Sequence, residues 1–379
     1  MSRSDHRANL LGASSGKPRV LHLIKGLGPG GAERLILNQV TTSEGDFAYS
    51  VVYLIKEKDH LVADLERAGA TVVRLDGPLP LALRRAIRDL NPAIIHAHSP
   101  VLAVAARLLR WRRSNSPRIV TTEHNRWPRH HRVTRTANRL TASLDDSRIA
   151  VSQDVRSSMD QRIAATTEVL DHGVPLAEVI AAKSSRIAQR NAILGPENGD
   201  IVAIGTVANF RPEKDYDTFL RAAKIALDRM SNLHLIVVGQ GPGEAAFRNA
   251  AAEFGDRIHV LGFRSDAHHV MAAFDVFTLS SKHEGKPVSL MEAFALGLPV
   301  AATLAGGIPE AVTADANGLL VDVGDAEGLA DAWLRLASDP ELRQRMGMAA
   351  RAAADGFDAA TSTRSIEVLY RSVLTAGTK

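Results

Sequence analysis

Short runs rich in apolar and β-branched residues alternate along this chain with stretches whose apolar positions recur every three or four residues. In the first half the short runs are "RVLHLI", "YSVVYLI", "TVVRLD", "AIIHAH", "RIVTTEH", "RIAVSQ" and "EVLDHG", separated by helical patterns such as "LVADLERAGA" and "PLALRRAIRDL". The second half restarts with "IVAIGTVA", "LHLIVVG", "RIHVLGF", "DVFTLSS", "PVAATLA" and "GLLVDV", each followed by a helical stretch. Strands of this kind, spaced by helices, predict parallel sheets covered on both faces. Between the halves lies "SSRIAQRNAILGPENGD", polar and punctuated by Gly195-Pro196 and Asn198-Gly199, which reads as a linker. The pattern predicts an α/β fold of two doubly wound, Rossmann-like domains, residues 19–185 and 186–357, behind a loose polar tail over residues 1–18. The last run, "STRSIEVLYRSVL", carries Ile366, Val368, Leu369 and Val373 at helical spacing. Two such domains place a ligand in the cleft between them, at the carboxyl ends of the strands.

Composition narrows the class. The 379 residues are 45% hydrophobic and 23% charged, as in a soluble globular protein. No apolar run approaches the roughly 20 residues of a spanning helix, and the polar start lacks a secretory apolar block. A cytoplasmic protein is the expectation. Cysteine is absent, which excludes disulfides and cysteine metal sites. Up to Arg190 there are 29 Lys and Arg against 18 Asp and Glu, a net +11; the remainder has 17 against 24, a net −7. Opposite charges on the two halves point to different partners for the two domains.

"GLGPGGAER" follows the first strand and opens a helix, and Gly26, Gly28 and Gly31 make a G-x-G-x-x-G pattern. A dinucleotide site needs an acidic residue roughly 20 positions further on, and "IKEKDH" offers only Glu57 as a loose candidate. The "GPGG" part instead suits a loop whose backbone comes close to a ligand.

The most specific stretch is "SSKHEGKPVSLMEAFALGLPVAAT". Glu284 is expected in a loop at a helix mouth and Glu292 a little over a turn inside. A carboxylate accepts from the paired hydroxyls of a ribose or hexose. The helix start offers free amides to a phosphate, those of Gly285, Lys286, Val288 and Ser289, since Pro287 has none. Taken alone, two glutamates at this spacing are more often an acidic surface residue and a helix-face carboxylate than a binding pair. "DYD", Asp215 to Asp217, imitates a metal motif, but acidic residues at a helix start are ordinary dipole partners. With no other hard-cation cage in the sequence, no metal requirement is expected.

These stretches, taken in order from about Arg19 to Leu374, resemble the retaining GT-B glycosyltransferases, specifically glycosyltransferase family 4. The similarity runs through "GPGGAER", "IIHAHSP", "IAVSQ" with "VLDHGVP", "VANFRPEKDYDTFLRA", "VVGQGPGE", "VLGFRSD", the two-glutamate stretch and "GGIPEAV…NGLLV". The resemblance implies a GT-B fold, with domains facing each other across a cleft and a C-terminal helix, residues 358–379, returning to the N-terminal domain. It implies retaining, metal-independent transfer of a hexose-type sugar to a hydroxyl of a glycan, a lipid-linked molecule or a small molecule. The donor is a nucleoside-diphosphate sugar, UDP favoured, and no cofactor is implied beyond that co-substrate.

By the same resemblance, Glu284 lies at the donor sugar, Glu292 on the ribose and Lys214 on the diphosphate, where a positive charge stabilises the leaving group. Many members carry an arginine where this chain has Asn209, and Arg211 is the nearby candidate for the missing charge. His98 matches the family's active-site histidine, whereas His96, one step deeper, reads as a satisfied core residue. Gly30 and Gly31 back the diphosphate, and Phe263 and Arg264 touch the base through backbone atoms. Gly28 falls on the acceptor side, and His124, which ends a strand, reads equally as an acceptor-side or a structural residue. Two other functions share this description, a sugar-nucleotide epimerase and a catalytically silent sugar-nucleotide binder. The joint presence of Glu284, Glu292, Lys214 and His98 argues against silence.

From Arg107 to Arg139 the chain has ten arginines and one acidic residue, Glu123, with Trp111 and Trp127 interleaved. Anionic headgroups attract basic patches, so peripheral contact with the inner membrane face is one expectation and a solvated basic face the other. No nucleic-acid-binding module accompanies the arginines, and nucleic acid is not expected as a partner.

Overall fold

Seven strands form the first sheet: β1 (Arg19–Ile24), β2 (Ala48–Tyr53), β3 (Thr71–Arg74), β4 (Ile94–Ala97), β5 (Arg118–Glu123), β6 (Ser147–Ala150) and β7 (Glu168–Val169). They pair in the order β3-β2-β1-β4-β5-β6-β7, every pair parallel. Six more make the second: β8 (Val202–Val207), β9 (Leu233–Val238), β10 (Ile258–Gly262), β11 (Val276–Leu279), β12 (Val300–Thr303) and β13 (Gly318–Val321). Their order is β10-β9-β8-β11-β12-β13, again all parallel. The computed structural model describes residues 16–110 and 116–376. The expected tail therefore lies, except for its last three residues, outside the described residues.

The chain divides into two units, each with its own sheet. Unit 1 runs to Gly173 and takes in the chain from Ala359 onward; unit 2 is Val174–Asp358. In unit 1 alternate β1 side chains feed two cores. Val20 and Ile24 join Ile36, Val51, Ile94 and Val120, together with Ile366, Leu369, Tyr370 and Val373 of the C-terminal helix. Leu21 and Leu23 join Leu83, Leu90, Ile95, Leu102 and Ile119 on the opposite face. The C-terminal helix (Ala359–Thr375) is also tied to unit 1 by polar groups. Buried Glu367 accepts from Tyr49 Oη at 2.8 Å and Ser43 Oγ at 2.6 Å, and Thr363 bonds Thr42 at 2.7 Å.

The sequence boundary at 185 requires correction to Gly173. The supposed linker contains a helix, Arg186–Leu194, stitched to unit 2 by arginines. Arg186 donates to the carbonyls of Ala272 and Phe274 at 2.8 and 2.6 Å and to Asp275 at 2.6 Å. Arg190 reaches the same Asp275 at 2.9 Å and the carbonyls of Ala273 and Ile201 at 2.9 and 2.7 Å. Val179 and Ala182, just upstream, lie in the unit 2 core. Polar composition here marks buried hydrogen bonding.

The basic stretch is also rearranged. Arg107 is fully buried and holds both oxygens of Asp145 at 2.6 Å. Arg110 and Arg118 converge on Asp146 at 3.0 and 3.1 Å. Arg126 pairs with Asp154 at 3.2 Å, Arg139 pairs with Asp160, and Trp127 is buried. The neutralising acids lie beyond Arg139 in sequence, which is why a window count misses them. Trp111 lies outside the described residues. Arg126 and Arg139 stay exposed within their pairs, and the other surface groups among the described residues include Arg129 and Arg132, half-buried Arg135, and the exposed Val133 and Leu140 of the helix Arg132–Thr141. Among the described residues, no helix is long and apolar enough to cross a membrane.

Candidate active site

Each sheet reverses its strand order at one point, between β1 and β4 in unit 1 and between β8 and β11 in unit 2. Ligands of doubly wound sheets bind beyond the carboxyl ends of the strands at such points. The motif residues collect there. The glycine loop follows β1 and His98 follows β4; Asn209, Arg211 and Lys214 follow β8, and Glu284 follows β11.

In unit 2 the chain after β8 makes a single short turn, Pro212–Lys214, and then the helix Tyr216–Arg229. The turn brings Lys214 Nζ within 2.6 Å of Glu284 Oε1, with the two side chains 18% and 8% exposed. Ser281 Oγ donates to that same oxygen at 2.6 Å. Among the described residues nothing donates to Oε2, so half of the carboxylate stays open to a ligand hydroxyl. Backbone locks the loop: Ser280 Oγ donates to the carbonyl of Lys214 at 2.9 Å, and Lys282 N to that of Glu213 at 2.8 Å. Lys282 Nζ also pairs with buried Asp215 at 2.8 Å, which fixes the "DYD" carboxylate as a structural group.

Two glycines allow this close approach. Gly306 has φ +56°, and a Cβ there would sit 1.9 Å from the carbonyl oxygen of Glu284. Its neighbour Gly307 donates to the Gly285 carbonyl at 2.8 Å. A Cβ on Gly239 would lie 2.0 Å from the Ala208 carbonyl oxygen, so the "GQG" loop can lie directly on the segment leading to Asn209. The helix Val288–Ala295 starts behind Pro287 with no side-chain cap, leaving its first amides for a ligand. Glu292 lies within it and is half-buried. Of the remaining expected contacts, Arg211 is exposed, Asn209 half-buried and Phe263 42% exposed. Arg264 holds Asp266 through two bonds of 2.7 Å, so its guanidinium is committed within its own loop. Lys286 has its ammonium 5.6 Å from the Phe357 ring centre, with its side chain 5% exposed. Only its backbone is placed like the other loop amides.

In unit 1 the glycine loop is held by backbone bonds, Leu27 N to the Lys58 carbonyl at 2.7 Å and Leu61 N to the Leu27 carbonyl at 3.1 Å. Gly28 is buried, and Gly30 and Gly31 are accessible at the start of the helix Gly31–Thr42. Beside them lies a cluster of imidazoles. His22 Nδ1 is 2.9 Å from His98 Nε2, and His98 Nδ1 is 3.1 Å from His124 Nε2. His96 bonds Tyr370 Oη at 2.5 Å through Nδ1 and Thr122 Oγ1 at 2.7 Å through Nε2. It is the structural histidine expected from its depth. Burial pushes His22 down to about 3, and burial with the charge of His172 does the same to His124. Burial and the neighbouring imidazoles hold His96 and His98 well below the ordinary histidine range. All four rings are neutral at pH 7. Ring nitrogens of His22, His96 and His98 fall within 4.8 Å of one another. Both nitrogens of His96 and of His98 are already hydrogen-bonded, and a cation would have to displace those bonds.

Sequence reasoning missed His22, Ser281 and Tyr370. The register of β1 on β4, which sets His22 opposite His96, is a non-local fact. Only a shared histidine near the middle of two neighbouring apolar runs hinted at it.

Comparison with known proteins agrees with this arrangement. Residues 19–178 match the family described as Glycosyltransferase Family 4, and residues 189–353 the family described as Glycosyl transferases group 1. The chain is 25% identical to EpsD of Bacillus subtilis over 317 residues, covering 78% of this chain and 81% of that protein. It is 28% identical over 302 residues to the GDP-mannose-dependent alpha-(1-6)-phosphatidylinositol monomannoside mannosyltransferase of Mycobacterium tuberculosis, covering 74% of this chain and 76% of that one. The fold is similar to that of Anabaena Alr3699/HepE in complex with UDP-glucose, with a TM-score of 0.80 at 22% identity over 93% of this chain and 99% of that one. With both halves of the chain matched in order, and the two doubly wound sheets in place, this protein belongs to the GT-B glycosyltransferases of family 4.

Proposed function

We propose that the chain is a retaining hexosyltransferase that uses a nucleoside-diphosphate sugar, with UDP-sugars the first donors to test and GDP-mannose the next. The Lys214–Glu284 contact at the strand-order reversal of unit 2 carries the reading. A cation and a half-open carboxylate side by side suit a diphosphate and the hydroxyls of the sugar attached to it. Amides of Gly285, Lys286, Val288 and Ser289 add to the phosphate seat, and Glu292 holds the ribose. Arg211, exposed and with no side-chain bond among the described residues, supplies the charge that Asn209 does not. Phe263 and Arg264 meet the base through their backbone. The roles expected of the unit 1 residues are those of His98, Gly30 and Gly31 toward the transferred group and of Gly28 and His124 toward the acceptor.

In the transfer the bond from the sugar's anomeric carbon to the phosphate oxygen breaks. A bond to the acceptor oxygen forms on the same face, and the departing phosphate takes the acceptor's proton. Negative charge grows on the phosphate, so Lys214 and the amides do most for the rate. The carboxylate and ammonium groups need no metal for this. The acceptor is a hydroxyl of a glycan, a lipid-linked molecule or a small molecule. Arg129, Arg132 and Arg135 with Val133 and Leu140 provide a weak, peripheral hold on anionic lipid at the cytoplasmic face.

Release of nucleoside diphosphate from UDP- and GDP-sugars, with bacterial lipid extracts and simple glycosides as acceptors, tests the reading. Acceptor-dependent release with an α-linked product from an α-linked donor is expected. Release of inverted product, or binding without turnover across the panel, would contradict it.

A further inference from the structure

The segment "IKEKDH", between β2 and the helix Val62–Arg67, sets one of its residues on the glycine loop. Backbone bonds lay this segment along the loop after β1. Leu54 N and Ile55 N donate to the Lys25 carbonyl at 3.2 and 3.0 Å, and Leu61 N donates to that of Leu27 at 3.1 Å. Lys58 is clamped on both sides: its N–H donates to the Ile55 carbonyl at 3.1 Å, and its own carbonyl accepts from Leu27 N at 2.7 Å. The lysine stem then crosses the glycines. A Cβ on Gly26 would lie 2.9 Å from both Cβ and Cδ of Lys58, and one on Gly28 would lie 3.7 Å from its Cγ and Cδ. Neither glycine has a positive φ, so backbone conformation does not call for glycine at either place. At Gly26 the missing Cβ makes room for the stem.

Lys58 is half-buried, and ordering so long a side chain costs rotamer freedom. Its ammonium has no hydrogen-bond or ion-pair partner among the described residues, although exposed Glu57 and Asp59 flank it in sequence. An ordered stem that ends in an unspent charge suits a cation kept for a ligand. The imidazoles beside the glycine loop are neutral and bring no charge to this end of unit 1. We propose that Lys58 selects the acceptor: its ammonium takes an oxyanion, phosphate or carboxylate, that the acceptor carries. Lysine meets either group as a point charge. The role toward an acceptor rests on the glycosyltransfer reading; the anion site does not.

Reductive ¹³C-methylation of the lysines in the full chain reads the site without turnover, with UDP present to occupy the phosphate seat of unit 2. The Lys58 signal is assigned by its loss in Lys58→Met, which keeps a stem over Gly26 and removes the charge. Titration with inorganic phosphate and with methyl glucuronide should move that signal at concentrations about tenfold or more below those that move exposed Lys224. Methyl glucoside should not move it. A response to phosphate alone or to glucuronide alone names the anion; a response to neither, or none before Lys224, overturns the proposal. Gly26→Ala should shift the signal before any anion is added, and an unshifted signal removes the stem from the glycine. Rates supply the second arm. With glucose 6-phosphate or methyl glucuronide as acceptor, Lys58→Met should raise the acceptor KM about tenfold or more at nearly constant kcat. Lys58→Arg should restore most of the loss, and methyl glucoside should be unaffected. A rise in the donor KM instead would overturn the acceptor role. A Lys58 signal that answers anions in a chain without transfer to any acceptor keeps the anion site and ends the transfer reading alone.

Discussion

Lys214 Nζ lies 2.6 Å from Glu284 Oε1, although the two residues are 70 positions apart, and Ser281 Oγ completes the contact from the other side. The pair joins the end of β8 to the end of β11 at the one place where the sheet of unit 2 reverses its order. It holds a positive and a negative group in contact, each able to exchange part of that contact for a phosphate or a hydroxyl.

If the two act as one unit, their removals are not additive. Lys214→Ala is expected to lower kcat by about a hundredfold or more, the usual loss for one charge-stabilising donor. Glu284→Gln keeps the shape but drops the charge and should cost a comparable factor. The double variant should be little worse than the poorer single. Steady-state rates of nucleoside diphosphate release check this, and multiplicative losses would separate the two roles.

Gly306 tests the loop that carries Glu284. A methyl there meets the Glu284 carbonyl at 1.9 Å with the backbone at φ +56°, so Gly306→Ala should destabilise unit 2 by about 2 kcal/mol or more. Gly356→Ala meets nothing within 4 Å and is the matched control. Thermal melting of both variants decides, and equal melting temperatures would remove the constraint.

Local signals explain how far the sequence could be read. The strand runs, the glycine loop, Lys214 in "RPEK" and the glutamates each lie within a short stretch, and a doubly wound sheet puts strand ends together by topology alone. What escaped reading depends on pairs far apart in the chain. Arg107 meets Asp145, Arg186 and Arg190 meet Asp275, and His22 meets His98. The first two invert the meaning of a charged stretch, from surface patch and from linker to buried framework. The third turns a strand residue into part of the site.

Acid should unfold unit 1 first. His22, His96, His98 and His124 are held neutral in the fold, with values pushed below the ordinary 6.5, to about 3 for His22 and His124. The unfolded chain therefore binds more protons below pH 6.5. Stability is complete above that pH and falls as pH drops from 6.5 toward 3, by up to about 1.4 kcal/mol per pH unit per histidine. Melting curves at pH 7.5 and pH 5 should show the unit 1 transition moving down, and His22→Phe should lessen the shift. A transition independent of pH would contradict the neutral cluster.

The buried Arg107–Asp145 pair separates framework arginines from surface ones. Asp145→Ala strands the Arg107 charge and should cost about 3–5 kcal/mol. Replacing both Arg129 and Arg132 by Glu should leave melting nearly unchanged while reducing sedimentation with anionic vesicles. Sedimentation that ignores the surface pair would end the membrane contact.

Calorimetric titration of donor into the wild-type chain and into Glu292→Ala reaches furthest into the account. UDP-glucose and GDP-mannose serve as the two donors, and because Glu292 also has a partner within the protein, melting of the variant is the control for its fold. With a sugar diphosphate held by the reversal point of unit 2, one of them binds the wild type and binds Glu292→Ala about tenfold or more weakly, as for a lost bond to a charged group. An unaltered dissociation constant in a folded variant, or no heat from either donor, would contradict it.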